Sequence, residues 1–264
     1  MKISFIFSLL IFSSQGQAAD ISELCLSEFE NTLNFSHQIT ERPSRELTVI
    51  SWNAHKYGDR NYFTDLKKLS ADADVLMIQE AMHSTGWEKA FASHMPFSFT
   101  FFESFCDKDK QATGVQNGAR YKLENNVNLV SPDTEPVSFT PKVSGVSRID
   151  IPGEGSVLLI NTHAMNFNTG KKFERQIDQV ANYIASQNGR VIWAGDFNTW
   201  NASRKKYLDQ KTQELGLIHV KPSDDDRSLI LDHIYVRGFQ VIRAEILDYK
   251  TSDHRPLRAM LKFQ

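Results

Sequence analysis

The chain alternates short apolar runs with polar stretches of helical period, and the runs become denser in its second half. Leu47 to Trp52 and Asp74 to Ile78 have strand length, and the polar stretch from Asn61 to Ala71 between them predicts a strand, a helix and a second strand. After Pro96, the segments Phe97 to Phe105, Gly114 to Ala119, Asn126 to Val130, Gly145 to Ile151 and Val157 to Asn161 are separated by Pro, Gly, Asn and Asp clusters. That is the pattern of a largely antiparallel meander. Phe173, Ile177, Val180 and Ile184 then share one face of a helix predicted from Lys171 to Gln187. A strand at Arg190 to Ala194, a helix from Asn201 to Leu215, and strands at Leu229 to Val236, Phe239 to Leu247 and Leu257 to Phe263 complete the order. Ahead of them, a segment starting at Asp20 reads as an amphipathic helix with Ile21, Leu24, Phe29 and Leu33 on one side. A polar, irregular stretch from Phe35 to Glu46 connects it to the first strand.

The apolar runs end in a recurring set of polar residues: Ser51-Trp52-Asn53, Gln79-Glu80, Asn161-Thr162-His163, Gly195-Asp196-Phe197-Asn198, Leu231-Asp232-His233 and Ser252-Asp253-His254. Carboxylates, amides and imidazoles at strand ends can converge on one pocket. Hard oxygen donors suit a Mg²⁺ ion that keeps part of its water shell, and imidazoles beside them move protons near neutral pH. The combination suits cleavage of a phosphate ester.

In this order, from about Leu47 to the C-terminus, these segments resemble the endonuclease/exonuclease/phosphatase superfamily. The resemblance implies an α+β fold, a four-layer αββα sandwich of two mixed, largely antiparallel sheets flanked by helices. It also implies roles. Glu80 is then the principal Mg²⁺ ligand, with Asn53 supporting metal or phosphate through its amide oxygen and Asp253 helping with metal or water. Mn²⁺ and Ca²⁺ are the alternative ions. Asp196 orients or deprotonates the attacking water, Asn198 donates to the phosphate, and Asp232 pairs with His254 to fix its tautomer and raise its basicity. His163 matches the second histidine of the family, a hydrogen-bond donor to a phosphate oxygen or an acid. Some relatives carry an acid two residues after the counterpart of Asn53, where this chain has His55.

With 41% hydrophobic and 23% charged residues the composition is that of a globular protein, and a formal net charge of -2 gives no overall push toward nucleic acid. Because Asn53 and Asp253 lie far apart in sequence yet are expected in one site, residues 47–264 are read as a single catalytic domain. Lys2, the apolar run Ile3 to Phe12 and the small residues around Gly16-Gln17-Ala18 read as a cleaved signal peptide over residues 1–18. Residues 19–46 are then an N-terminal helical extension, the protein is secreted or periplasmic, and it has no stable membrane anchor. Cys25 and Cys106 are the two cysteines. In such a compartment they either form a bridge that pins the extension or stay as buried thiols.

The leading expectation is a monomeric Mg²⁺-dependent phosphodiesterase, an endonuclease on DNA or RNA. The alternatives are a sphingomyelinase-like or inositol-phosphate hydrolase acting on a phospholipid or inositol phosphate, and a non-catalytic binding protein on the same scaffold. Arg204, Lys205 and Lys206, close in sequence to Asp196 and Asn198, are candidates for backbone-phosphate contacts. Arg120 and Lys142 are placed near strand ends on the phosphate side, and Asn166 either faces substrate or caps a turn. Phe97, Phe99, Phe101, Phe102 and Phe105 could meet lipid if exposed, although alternating aromatics in a strand are commonly core. His233, flanked by apolar residues, reads as a packed imidazole.

Overall fold

Strands built from apolar runs need cover on both faces, and the chain supplies it by stacking two sheets against each other and helices outside them. The computed structural model describes residues 32–36, 45–106, 111–166 and 170–264. One sheet has the order β1 (Thr32–Ser36), β4 (Ser98–Cys106), β5 (Ala112–Ala119), β3 (Val75–His83), β2 (Glu46–Asn53), β13 (Leu257–Phe263) and β12 (Phe239–Ile246). The other has the order β10 (Ile218–Val220), β11 (Asp232–Arg237), β9 (Arg190–Asp196), β8 (Gly155–His163), β7 (Pro141–Ile151) and β6 (Glu124–Thr134).

Leu47, Val49, Val75 and Met77 of the first sheet meet Val157, Leu159, Ile192 and Ile234 of the second in a core between the sheets. Tyr62, Leu66 and Leu69 of α1 (Tyr62–Ala71) and Phe91 of α2 (Thr85–His94) cover the outer face of the first sheet. Phe173, Ile177, Val180 and Ile184 of α3 (Gly170–Ala185), with Leu208 of α4 (Ala202–Glu214), cover the second. The result is the expected four-layer α+β sandwich, antiparallel throughout except at the β2–β3 and β8–β9 pairs.

Several expectations change. Leu33 belongs to a strand rather than to a helix, because Thr32–Ser36 pairs antiparallel with β4 and so covers that edge of the sheet. The remainder of the helical extension and the signal segment, including Cys25, lie outside the described residues. Cys106 is disulfide-bonded. Helix α2 was not expected. It starts where the Ser84 hydroxyl accepts the Trp87 N–H at 3.2 Å. Phe97, Phe99, Phe101 and Phe102 are all buried: the first three pack under α1 and α2, and Phe102 packs between the sheets on Val115 and Val143. Phe105 is half-buried and lines a cleft. None of these rings is a lipid-facing surface. Among the described residues no helix is long and apolar enough to cross a membrane.

Candidate active site

Strand register carries the functional side chains to one end of the sandwich. Parallel pairing sets Asn53 beside Gln79 in one sheet and His163 beside Asp196 in the other. Strand β11 runs antiparallel to β9 and starts with Asp232 opposite Asp196. Strand β13 pairs antiparallel with β2, Leu257 opposite Ser51, so the loop before it brings His254 to the same end. That loop is tied down: the Trp52 indole N–H donates to the His254 carbonyl at 2.8 Å, and the Ser252 hydroxyl donates to the Asn53 carbonyl at 2.7 Å.

One oxygen, Asp196 Oδ2, is the hub. Asn53 Nδ2 donates to it at 3.0 Å and to Glu80 Oε1 at 3.4 Å. His163 Nε2 lies 3.6 Å from Asp196 Oδ2 and 3.8 Å from Glu80 Oε1. From the other side His254 Nε2 stands 4.0 Å from Asp196 Oδ2, while its Nδ1 reaches the two Asp232 oxygens at 2.9 and 3.0 Å. A line of acid, imidazole, acid, imidazole and acid thus crosses from Glu80 to Asp232.

Local backbone geometry sets this line. Glu80 sits at a bulge in the β3–β5 pairing with φ +48°, a conformation that swings its carboxylate off the strand's alternation. Gly195 lies inside β9 and answers a close approach. Its φ is +147°, and a Cβ there would stand 1.9 Å from the Thr162 carbonyl oxygen of β8. Beneath the site, Gln79 Nε2 donates to Asn161 Oδ1 at 2.7 Å, and Asn161 Nδ2 donates to the Ile78 carbonyl at 3.1 Å. This pair fastens β3 to β8, and hence Glu80 to His163, across the two sheets.

Burial decides the electrostatics. Asp196 is 2% exposed, and desolvation together with the nearby Asp232 carboxylate raises its pKa to about 7, against the lowering effects of His254 and Asn53. Burial works against charge on His254, but the Asp232 carboxylate outweighs it and the ring is raised to about 10. His163 is pushed well below its ordinary value by burial and by the cationic Lys142, His254 and Lys56, so it is neutral. Its Nε2 faces two carboxylates and therefore carries the proton.

Of the expected site residues, Asn53, Glu80, His163, Asp196, Asn198, Asp232 and His254 come together, with some roles altered. The Asn53 amide oxygen accepts the His55 N–H at 3.0 Å, so it is the nitrogen, not the oxygen, that faces the two acids. Asn198 turns inward at φ +49°: its side chain donates to the Ala164 carbonyl at 2.9 Å and its N–H to Asp196 Oδ1 at 2.9 Å. It braces Asp196 from behind rather than reaching toward a phosphate. Asp253 does not join the hub. Its side chain is 63% exposed and faces His55 Nδ1 at 3.6 Å on the rim.

The cationic candidates also separate. Arg204 is buried, donates to the carbonyls of Met165, Asn198 and Asn166, and stacks on Phe173 and Trp200. It is an internal brace behind the catalytic turn. Lys205 pairs with Asp209, and Lys206 is exposed, so the three residues form no patch. Arg120 is buried at the other end, where it caps α1 through the carbonyls of Ser70, Ala71 and Ala73. Lys142 does reach the site, in a cleft of about 170 Å³ with Lys56, Glu80, Glu135 and His163. The Asn166 N–H donates to Glu135 Oε1 at 2.9 Å, and its carbonyl takes an Arg204 N–H. His233 is buried between Thr199 and His219, a packed imidazole as its apolar flanks indicate. Arg227, absent from the sequence-based set, holds Asp225 through two guanidinium hydrogen bonds and one from its backbone N–H, and stands 3.6 Å from Asp232 Oδ2. The run Asp224-Asp225-Asp226-Arg227 was its one sequence signal.

The donor set fits a hard divalent cation. Glu80 presents a half-buried carboxylate at the mouth of the cleft, beside His163 and the Asn53 amide. Asp196, Asp232 and His254 also offer ligand atoms within 4.8 Å of one another. Since both oxygens of Asp232 engage the His254 ring, that group is built for proton handling, and Glu80 is the better cation ligand.

Residues 50–254 match the model of the endonuclease/exonuclease/phosphatase family. The chain is 31% identical over 227 residues to a UPF0294 protein of Vibrio cholerae, covering 80% of this chain and 76% of that one. Among solved structures it is similar to an endonuclease/exonuclease/phosphatase from Beutenbergia cavernae, with TM-score 0.66, 15% identity and coverage of 83% of this chain and 72% of the other. It is also similar to sphingomyelinase C from Streptomyces griseocarneus, with TM-score 0.59, 15% identity and coverage of 82% and 99%.

Proposed function

The chain belongs to the endonuclease/exonuclease/phosphatase family, and we propose that its site hydrolyses a phosphate ester by cation-assisted attack of water. The observation that carries this reading is the meeting of the Asp232–His254 pair, His163 and Asn53 at a single Asp196 oxygen, with Glu80 held beside Asn53 and His163. A buried acid held between two imidazoles, one of them fixed by a second carboxylate, is an arrangement suited to proton transfer. Glu80 would hold the cation at the mouth of the cleft. Bound there, Mg²⁺ supplies Lewis-acid polarisation of a phosphoryl oxygen, a role Mn²⁺ or Ca²⁺ can share.

The side chains do the rest. Asp196, with its pKa about 7, accepts the proton of the attacking water at Oδ2 as the water oxygen bonds to phosphorus. The P–O bond to the ester oxygen breaks, and that oxygen takes a proton from solvent. His254, kept charged by Asp232, turns its Nε2–H toward the charge that builds on the phosphorus oxygens. His163 donates from Nε2 as a neutral ring. Asn53 and Asn198 hold the two acids against reorientation.

Of the basic candidates for a nucleic-acid backbone, Arg204 is committed to internal carbonyls, while Lys206 is exposed and Lys56 and Lys142 line the cleft. A lipid ester, the substrate class named by the sphingomyelinase likeness, keeps its place beside a nucleic acid. The test uses the purified chain and a small soluble diester, bis(4-nitrophenyl) phosphate. Turnover with Mg²⁺, its loss in excess EDTA, and its loss in Glu80→Gln with an unchanged circular dichroism spectrum are expected. Undiminished turnover in excess EDTA would overturn the reading.

A further inference from the structure

Asp232 also borders a second cleft, of about 580 Å³, which takes no part in the proposed hydrolysis. The buried Val220 and Leu257 line it together with Trp200 and Ile230, which are 43% and 40% exposed. Two of its charged side chains are already satisfied: Arg227 holds Asp225, and Lys205 pairs with Asp209. Among its polar groups is the imidazole of His219, on β10.

The proton on that imidazole is placed from inside the protein. The Ile230 carbonyl can only accept, so the Thr199 hydroxyl, 2.8 Å away, points its one proton there. His233 Nε2 lies 2.7 Å from the same hydroxyl oxygen and must therefore donate to it. Burial holds His233 well below its ordinary pKa, so the ring is neutral and its Nδ1 is left as an acceptor. His219 Nε2, 3.1 Å from that Nδ1, is then the donor. His219 is neutral too, lowered to about 4 by burial and by the charge of Lys205. Its Nδ1 carries a bare lone pair, and no described residue bonds it. Stacking on Tyr235, with ring centroids 4.7 Å apart and planes at 23°, fixes the plane of the ring.

A chain of directed hydrogen bonds thus begins at a backbone carbonyl and ends at an open acceptor on the wall of a cleft. Apolar side chains at 219 and 233 would fill the same space without the cost of burying ring nitrogens. What the chain provides is an acceptor of fixed tautomer and fixed plane beside exposed apolar surface, the makings of a small-molecule site. A carboxylate or phosphate has no proton to offer the lone pair, and a sugar needs more polar partners than one. A flat apolar ring with a single donor meets both the wall and the nitrogen.

We propose that this cleft binds a flat aromatic ring carrying an N–H or O–H donor, the ring lying against Trp200 and Ile230 and its donor hydrogen meeting His219 Nδ1. This site does not rest on the hydrolase reading. The test is an NMR titration of the isotope-labelled full chain with phenol against anisole and with indole against N-methylindole. Each pair differs only in a methyl group replacing the donor hydrogen. The donor member of at least one pair should bind about fivefold more tightly, the factor one neutral hydrogen bond supplies. A preference in the phenol pair alone assigns the site to hydroxyl donors, and in the indole pair alone to N–H donors. His219→Phe keeps a ring over Tyr235 but has no lone pair, so it should bind both members of the pair equally. Trp200→Ala should weaken both members by a similar factor of about fivefold. Imidazole nitrogen shifts of the parent should show His219 protonated on Nε2. No binding of any of the four compounds, equal affinity within both pairs, a preference that survives in His219→Phe, or a His219 ring protonated on Nδ1 would each overturn the proposal. Should His219→Phe fail to fold, the tautomer and the pair preference of the parent decide alone. Hydrolysis of the soluble diester should be equal in parent and His219→Phe; a loss in the variant would place His219 in the catalytic site and overturn a separate one. If neither protein cleaves the diester, the hydrolase reading fails while the titration still decides this cleft.

Discussion

The Asp232→Asn change isolates the electrostatic heart of the site. His254 is raised to about 10 against the effect of its own burial, and Asp232 supplies most of that rise. Without the carboxylate the ring should fall to near its ordinary 6.5, because burial is then opposed only by the Asp196 and Asp253 charges. At pH 8 the protonated fraction would drop from about 99% to about 3%, roughly a thirtyfold loss of turnover if the imidazolium is what stabilises the transition state. Near pH 6 the ring is mostly charged in both proteins, so the deficit should nearly vanish. The acidic limb should move as well. Asp232 raises Asp196 more than His254 lowers it, so removing Asp232 should carry the limb below its expected position at about 7. The assay is a pH profile of kcat/KM on the soluble diester, with an NMR titration of the His254 ring as a direct check. A variant with the same deficit at every pH, or an alkaline limb unmoved from about 10, would refute the reasoning.

Asp196→Asn should cost at least about a hundredfold in turnover while stabilising the fold at alkaline pH. Its folded pKa of about 7 lies above the ordinary 3.8, so the stability penalty is absent below 3.8, grows with pH and is complete above about 7. A gain on the order of 2 kcal/mol at pH 8 that disappears near pH 4 in thermal melts is expected, after allowance for the weaker Asn53 and Asn198 contacts. Arg204→Ala should lose about 3 kcal/mol in urea unfolding, since three carbonyls lose their donor, and should leave the salt dependence of DNA binding unchanged. Gly195→Ala should yield no soluble folded protein, because a Cβ cannot share space with the Thr162 carbonyl; a native circular dichroism spectrum would contradict the 1.9 Å approach.

The order of strands and helices, and the residues that close each strand, could be read from the chain because both are local facts. Apolar runs of strand length mark segments that need cover on both faces, and a polar residue ending such a run must emerge at the sheet's edge or be compensated. Hence Glu80, His163, Asp196 and Asp232 were all visible as strand-end groups, and the His254 loop as their neighbour. The pairing of strands was not local. Only the register of β9 with β8 and β11 puts Asp196 beside His163 and Asp232, and only the burial that follows raises its pKa toward neutrality. The same holds for the basic residues. In sequence Arg204 looks like part of a solvated Arg-Lys-Lys face, yet the helix turns it beneath the catalytic turn, where carbonyls from two loops claim its guanidinium. Phe97 to Phe102 and Val137-Ser138-Phe139 are equally apolar on paper. The fold buries the first group between layers and leaves the second in water beside the active site, because β4 is covered on both faces while the 135–140 turn projects beyond them. Composition determines that a side chain seeks cover, and the packing of distant segments determines whether it finds it within the molecule.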